Sequence, residues 1–225
     1  MWKNSFIKLL IGLILYLFIS PFLVEFPAAS LLSHLWLTLV LFLTAWTVEG
    51  THKKPKAFLL VVPALLFYWL NVFHIVSHSG VAALCLFILF YLFIITKFTK
   101  KLIKSQTVNA DLIAGALCLY LIIGLLWGSA YHLLYALDPS TFSGNLLDTH
   151  SSSPTHIFNY FSMVTLTSLG YGDITPQSMG AASLCQIQAI IGQFFTAVLV
   201  GWLVGMFGKP LHKNSKQPSN ETTNS

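Results

Sequence analysis

Six runs of apolar residues, each close to the length of a membrane-spanning helix, account for most of this chain. A helix needs about 20 mostly apolar residues to cross the hydrocarbon core of a bilayer. The composition excludes a soluble globular protein, because 56% of the 225 residues are hydrophobic and only 8% are charged. We therefore predict an all-α integral membrane protein with six transmembrane helices, at residues 6–24, 31–48, 57–76, 80–95, 112–134 and 180–207.

The distribution of basic residues predicts the orientation of these helices. All twelve are lysines, and they lie at or before the start of the first run, in every second connection and after the sixth run: Lys3, Lys8, Lys53, Lys54, Lys56, Lys97, Lys100, Lys101, Lys104, Lys209, Lys213 and Lys216. Lysine is enriched on the cytoplasmic side of membrane proteins. We therefore predict a multi-pass protein of the cell membrane with both termini in the cytoplasm. Lysine clusters of this kind indicate topology, so we expect membrane lipid as a partner and no nucleic acid.

A further apolar stretch, residues 154–167, is too short to cross the membrane. As a helix it would cover only about 20 Å, and it lies in a connection predicted to be outside the cell. Ser153 and Pro154 form a good helix start, with a capping hydroxyl followed by proline at the first helical position. We predict a re-entrant pore helix, because its non-helical return is tolerated only where protein buries it or water lines it.

The return of this segment carries two glycines around a tyrosine, in the order Thr165-Leu166-Thr167-Ser168-Leu169-Gly170-Tyr171-Gly172-Asp173. Gly170 and Gly172 tolerate the left-handed backbone conformation, which would let successive carbonyl oxygens point to one side. Such oxygens can replace the water shell of a monovalent cation. One loop cannot encircle an ion, so this function requires four copies about an axis, most simply a homotetramer.

The stretch resembles the selectivity filter of the potassium channel superfamily, and residues 112–207 resemble the pore of its prokaryotic members. The resemblance implies a potassium-selective channel with a filter at residues 167–173. It places permeant potassium at Ser168, Leu169, Gly170 and Tyr171. It also implies that the Tyr171 ring packs near the pore-helix residues Tyr160 and Phe161, on the helix that carries Thr165.

Two further residues bear on this resemblance: Gly192 agrees with the family pattern, and Ser168 departs from it. Gly192 lies twenty residues after Gly172, where the family commonly has a hinge glycine in its inner helix. Close helix packing through a small residue is an equal interpretation of Gly192. Ser168 stands where the family usually has threonine, so a hydroxyl remains for the innermost ion site but its packing methyl is lost. A poorly selective monovalent cation channel is therefore the alternative function.

The amino-terminal helices lack the charges of a voltage sensor. Residues 80–95 contain no basic residue, and Glu25 and Glu49 lie at the ends of runs. Moving one elementary charge through the field is worth about 2.3 kcal/mol per 100 mV, so steep gating needs several charges per subunit. We predict gating that is nearly insensitive to voltage. We divide the chain into a four-helix region (1–104), a pore domain (105–208) and a short disordered cytoplasmic tail (209–225).

Other chemistry finds less support in the sequence. Ser129 and His132 lie three residues apart on one helix face, as a nucleophile and a base would, but no oxyanion-hole segment accompanies them. We predict that the protein is not an enzyme and keep an intramembrane hydrolase as a further alternative. His74 and His78 have a spacing compatible with a metal, yet no acid or cysteine lies near them. We therefore expect no cofactor and no metal other than potassium.

Overall fold

The computed structural model describes residues 5–24, 26, 30–49, 56–76, 78–105, 109–149 and 154–207. Within these residues the chain forms eight α-helices: α1 Ser5–Val24, α2 Ser30–Glu49, α3 Lys56–Val72, α4 Ser79–Ile103, α5 Ala110–Leu137, α6 Asn145–Thr149, α7 Pro154–Leu166 and α8 Met179–Phe207. A 3₁₀ helix, Pro139–Thr141, and two short strands, β1 Phe142–Ser143 and β2 Thr175–Pro176, lie on either side of α7 in the chain. The predicted tail at 209–225 lies outside the described residues.

Five of the described helices, α1, α2, α4, α5 and α8, are long and apolar enough to cross a membrane. The predicted all-α, multi-pass membrane character is therefore confirmed. Helix α3 is apolar but has only 17 residues, about 25 Å of helix, so a sixth span stays a prediction. α3 ends at Val72 and not at residue 76, because His74 takes a left-handed backbone conformation with φ 53°.

Helix α4 continues eight residues beyond its predicted end at residue 95. Its buried face carries on through Phe98 and Leu102, so packing holds the added turns in place. Lys100 and Lys101 lie in the last turn, where a cation interacts favourably with the negative end of the helix dipole. The lysines of α4 therefore sit at one end of the helix and leave its middle uncharged.

Helix α5 is the element against which most of the others pack. α1, α4, α7 and α8 all contact it, and α2 and α3 bridge α1 to α4. Small residues permit this close packing. A β-carbon added at buried Gly115 would lie 3.0 Å from the ring of Phe6 on α1, and one added at Gly124 would overlap the side chain of Met163 on α7. Bulkier residues at these positions would separate α5 from its neighbours.

A carboxylate joins α1 to the start of α5. Asp111 Oδ1 accepts hydrogen bonds from the backbone N–H groups of Phe6, at 3.0 Å, and Ile7, at 3.3 Å. N–H groups in the first turn of a helix have no intrahelical acceptor, and a negative charge is favourable there. The Lys101 ammonium lies 4.1 Å from the centroid of the Phe6 ring. Groups from α4 and α5 thus hold the first turn of α1.

We expect Asp111→Ala to lower the stability of the chain, because two N–H groups would lose their acceptor. Loss of a helix cap costs about 1 kcal/mol, which corresponds to a fall in melting temperature of about 2–4 °C for a chain of this length. Thermal unfolding of the purified protein in detergent measures the change. Asp148→Ala is the control, because the described structure shows an exposed Asp148 whose carboxylate has no hydrogen-bond partner. Equal effects of the two substitutions would contradict the capping role.

Candidate functional site

Helix α7, the predicted pore helix, begins at Pro154 as expected and ends at Leu166, one residue before its predicted end. The predicted N-cap, Ser153, lies outside the described residues. Two contacts hold α7 on α5. The Ser162 hydroxyl donates to the Gly124 carbonyl oxygen at 2.7 Å, and Asn159 lies so close to Gly128 that a β-carbon there would overlap its amide oxygen. The buried face of α7 is therefore in backbone contact with α5.

The loop that follows α7 has an alternating backbone. Ser168, Gly170 and Gly172 have positive φ values of 57°, 60° and 77°, whereas Leu169 and Tyr171 between them do not. Where a backbone alternates between the left- and right-handed helical regions, successive carbonyl oxygens line one side and N–H groups the other. The left-handed conformation expected at the two glycines is therefore present. The sequence did not predict it at Ser168.

A left-handed serine needs support from its surroundings. This conformation costs a residue with a side chain roughly 1–2 kcal/mol. The Ser168 hydroxyl accepts a hydrogen bond of 3.1 Å from the Gln193 side-chain amide on α8. The Thr167 hydroxyl, one residue earlier, donates to the Met163 carbonyl oxygen at 2.9 Å, and Thr165 donates to the Phe161 carbonyl oxygen at 2.9 Å. The end of the loop that directly follows α7, here called its inner end, is thus hydrogen-bonded to both α7 and α8.

The opposite end of the loop, at Asp173 and here called its outer end, is hydrogen-bonded to α7 through a tyrosine. Tyr160 donates from its hydroxyl to Asp173 Oδ2 at 2.5 Å, and Asp173 Oδ1 accepts from the Ile174 backbone N–H at 3.1 Å. Both carboxylate oxygens are therefore engaged. The hydrogen bond from Tyr160 to Asp173 joins α7 to the outer end of the loop, and no sequence pattern predicted that these two residues pair.

Tyr171 makes no ring contact with the pore-helix residues Tyr160 and Phe161 within the described part of a single chain. The Tyr171 side chain is 66% exposed. Phe161 is buried instead against Tyr131, at 5.1 Å between ring centroids, and Phe142, at 5.6 Å. The position of the Tyr171 ring near Tyr160 and Phe161 in an assembled channel therefore stays a prediction.

The connection after α5 braces the residues that follow the loop. β1 pairs antiparallel with β2, with Ser143 opposite Thr175. The Gln177 backbone N–H donates to the Thr141 carbonyl oxygen at 2.8 Å. A β-carbon on Gly144 would overlap the Asp173 carbonyl oxygen, so only glycine permits this approach. These contacts hold the outer end of the loop against a strand pair that the sequence analysis missed, since two-residue strands have no recognisable pattern.

An aspartate at the same outer end is held in its charged form. Asp138 Oδ1 accepts hydrogen bonds from the Ser140 backbone N–H, at 2.9 Å, and from its hydroxyl, at 2.7 Å. The Ser140 hydroxyl and then its backbone N–H stabilise the carboxylate and lower the pKa of Asp138 below its usual range. Asp138 therefore keeps its negative charge at neutral pH, in the connection that leads to the loop.

A buried glutamine joins the three helices behind the loop. Gln188 on α8 is fully buried, and its side-chain oxygen accepts from the Tyr131 hydroxyl of α5 at 2.6 Å. Its amide nitrogen donates to the Ser162 carbonyl oxygen at 3.0 Å and to the Ser162 hydroxyl oxygen at 2.7 Å. Buried polar groups need such partners. The sequence analysis missed Gln188, because a lone glutamine in an apolar helix gives no sign of its partners.

Gly192 is a position of close helix packing. It is buried, and a β-carbon there would overlap the Leu166 carbonyl oxygen at the end of α7. By contrast, a β-carbon at Gly201 or Gly205 would meet nothing within 4 Å in the described chain. The packing interpretation of Gly192 therefore has a physical basis here, while its role as a hinge stays a prediction.

The two residues considered for catalysis are not hydrogen-bonded to each other. His132 Nδ1 lies 3.3 Å from the Thr155 hydroxyl oxygen of α7, and the described residues show no hydrogen bond between His132 and Ser129. The pair therefore does not form the nucleophile and base arrangement that hydrolysis needs. Within the described part of the chain there is also no group of three or more histidine, cysteine, aspartate or glutamate residues that could hold a metal ion.

Comparison with known proteins supports a resemblance over this part of the chain. Residues 117–209 match a family model described as Ion channel. The match covers less than half of the chain and includes most of α5, all of α7, the loop and α8, so the predicted resemblance to pore-loop ion channels is confirmed over that segment. Helices α1 to α4 lie outside it. No curated protein and no solved structure gives a significant match to the chain.

We expect Gly192→Ala to destabilise the protein, because the added methyl group would force α8 away from the end of α7. Overpacking of this kind costs about 1–3 kcal/mol. Gly201→Ala is the matched control on the same helix, because a β-carbon there has free space in the described chain. Alanine has a higher helix propensity than glycine, so we expect this control to stabilise the protein by about 1 kcal/mol. Thermal unfolding in detergent distinguishes the two. Stabilisation by Gly192→Ala would contradict the packing contact and favour a purely hinge-like glycine.

Proposed function

We propose that this chain forms a homotetrameric, potassium-selective channel that carries potassium passively across the cell membrane. The observation that carries the proposal is the alternation of positive and negative φ from Ser168 to Gly172, a backbone that would direct successive carbonyl oxygens to one side. Rings of such oxygens replace the hydration shell of potassium in known filters. The match of residues 117–209 to an ion channel family model supports the same function.

In this proposal the ion passes through five stacked rings of oxygen atoms, each ring with one oxygen from each of the four chains. Leu169, Gly170 and Tyr171 supply backbone carbonyl oxygens, and Ser168 supplies its carbonyl and hydroxyl oxygens at the inner end. The negative end of the α7 dipole points toward the ion below the filter. Asp173 and the ionised Asp138 raise the local cation concentration at the outer mouth. The residues expected to bind potassium are thus the ones with the alternating φ values.

Two features of the single chain support assembly into a tetramer. Residues 167–172 are exposed, so their carbonyl oxygens have no protein on the side where an ion would lie. Helix α8 also exposes large apolar side chains, with Ile190 56%, Phe194 68% and Val198 66% exposed. Further copies of the chain about an axis would cover part of this surface. They would also supply the packing surface that Tyr171 lacks within its own chain.

The proposed channel is nearly insensitive to voltage. In the described parts of α1 to α4 the lysines lie near helix ends, and the described Lys97, Lys100 and Lys101 fall in the last turns of α4. Several charges per subunit must cross the field for steep gating. A gating charge of several elementary charges per subunit in a patch-clamp voltage protocol would contradict this part of the proposal.

A poorly selective cation channel is the second candidate, because Ser168 stands at the innermost ion site. Ser168 still has a hydroxyl oxygen, which accepts a hydrogen bond from the Gln193 side chain. Because this oxygen is available to the innermost ion site, we favour potassium selectivity. The reversal potential with potassium on one side and sodium on the other decides between the two. A permeability ratio near one would reject potassium selectivity while leaving ion conduction intact.

We expect Gly170→Ala to abolish potassium flux. Its φ of 60° is unfavourable for alanine by roughly 1–2 kcal/mol, so the peptide plane would turn and remove a carbonyl oxygen from the ring. Space is not the reason, since a β-carbon at Gly170 meets nothing within 4 Å in the described chain. Potassium flux from liposomes that contain the purified protein is the measurement.

Gly180→Ala is the matched control for Gly170→Ala. It also has free space around it, but it lies in α8 with an ordinary backbone conformation. We expect its flux to equal that of the unchanged protein. Flux that persists unchanged in Gly170→Ala would show that the loop is not the conduction pathway.

A further inference from the structure

A largely apolar cleft with several polar groups in its wall lies between the amino-terminal helices, α5 and α7. Its wall includes Tyr16 of α1, Tyr91 of α4, Ser129 of α5 and Asn159 of α7. Gly80 and Asn71 lie at the shallow end, where α3 and α4 meet. Tyr91 follows Gly80 by eleven residues on α4, which places it about 16 Å deeper along the helix axis. The cleft therefore extends about half the depth of a bilayer core.

Tyr91 has a buried hydroxyl without a partner in the described part of the chain. Its side chain is 3% exposed, and no hydrogen bond joins its hydroxyl to any described residue. An unsatisfied buried hydroxyl is unfavourable by about 1–3 kcal/mol. The ring of Tyr91 packs on Phe87 and Phe90, which holds the hydroxyl at the cleft wall. Tyr91 thus offers a donor and an acceptor to whatever occupies the cleft.

Tyr16 offers a second donor. Its hydroxyl oxygen accepts from the Asn159 amide at 3.3 Å, and the described residues supply no acceptor for its own proton. Tyr16 is 1% exposed and Asn159 6% exposed. None of the residues that line the cleft is an acid or a lysine. A charged occupant would lose its hydration without compensation, so the chemistry of the wall suits a neutral molecule that can donate and accept hydrogen bonds.

The volume limits the size of that molecule. The cleft has a volume of about 50 Å³. A cavity of about 150 Å³ holds benzene, which has six non-hydrogen atoms, so a cleft of about 50 Å³ suits a molecule of about two or three non-hydrogen atoms. We propose that this cleft is a binding site for a small neutral alcohol such as ethanol, whose hydroxyl pairs with Tyr91 and Tyr16. The site is separate from the filter, and its occupancy does not depend on the proposed channel function.

A thiol placed in the cleft reports whether it is occupied. Ser129→Cys puts a thiol on the wall, and hydrogen peroxide, which has only two non-hydrogen atoms, oxidises it to a sulfenic acid with release of water. The rate of this modification is measured on the purified full chain by mass spectrometry of peptides, with and without ethanol. The native Cys85, exposed on α4 and not part of the cleft wall, is the internal control. Thr155→Cys is a second reporter on α7 if the first variant does not fold.

We expect ethanol to slow modification of the introduced thiol in a saturable manner and to leave the Cys85 rate unchanged. Tyr91→Phe in the same background should weaken this protection about threefold to tenfold, the equivalent of one hydrogen bond. Tyr135→Phe is the matched control, because Tyr135 of α5 lies outside the cleft wall, and should leave the protection unchanged.

Three outcomes would overturn the proposal. A thiol that is modified at the same rate with and without ethanol would show that only water occupies the cleft. Equal protection in Tyr91→Phe and the unchanged background would show that the alcohol does not use this hydroxyl. Failure of both reporter thiols to react in folded protein would show that the cleft is closed to small molecules.

Discussion

The contact between α7 and α5 is the constraint on which the rest of the pore region depends. A helix that enters a membrane without crossing it ends in non-helical backbone, which must be buried by protein or face water. Gly124 and Gly128 lie four residues apart on one face of α5, and the absence of side chains there lets α7 approach backbone to backbone. Ser162 then donates to the Gly124 carbonyl oxygen. Larger residues on α5 would move α7 and the loop that follows it.

Polar contacts from three directions hold that loop. Gln193 from α8 reaches Ser168 at its inner end, and Tyr160 from α7 reaches Asp173 at its outer end. Gly144 from the connection after α5 lies against the Asp173 carbonyl oxygen. Left-handed backbone outside glycine persists only where its surroundings enforce it. The loop keeps its alternating conformation because both of its ends are bonded to helices that are themselves packed together.

The amino-terminal helices are joined directly to this region and are not a separate unit. Asp111 of α5 caps α1, and Asn159 of α7 donates to Tyr16 of α1. These helices lie outside the segment that matches the ion channel family model. Their described charges lie near helix ends, and two of their buried tyrosines, Tyr16 and Tyr91, line the cleft beside α7. Their contacts suit a scaffold for the pore helix better than a sensor that must move through the membrane field.

Local patterns in the sequence determined the membrane class, the start of α7 at Pro154 and the left-handed glycines, because hydropathy, proline and missing β-carbons act on the chain where they stand. Only the tertiary structure decided three other features. These are the hydrogen-bond partners of Gln188, the contact with Leu166 that leaves no space for a β-carbon at Gly192, and the pairing of β1 with β2. The end of α3 at Val72 also differed from the prediction. Each of these depends on which residues from distant parts of the chain meet across an interface, and single-sequence patterns do not encode that proximity.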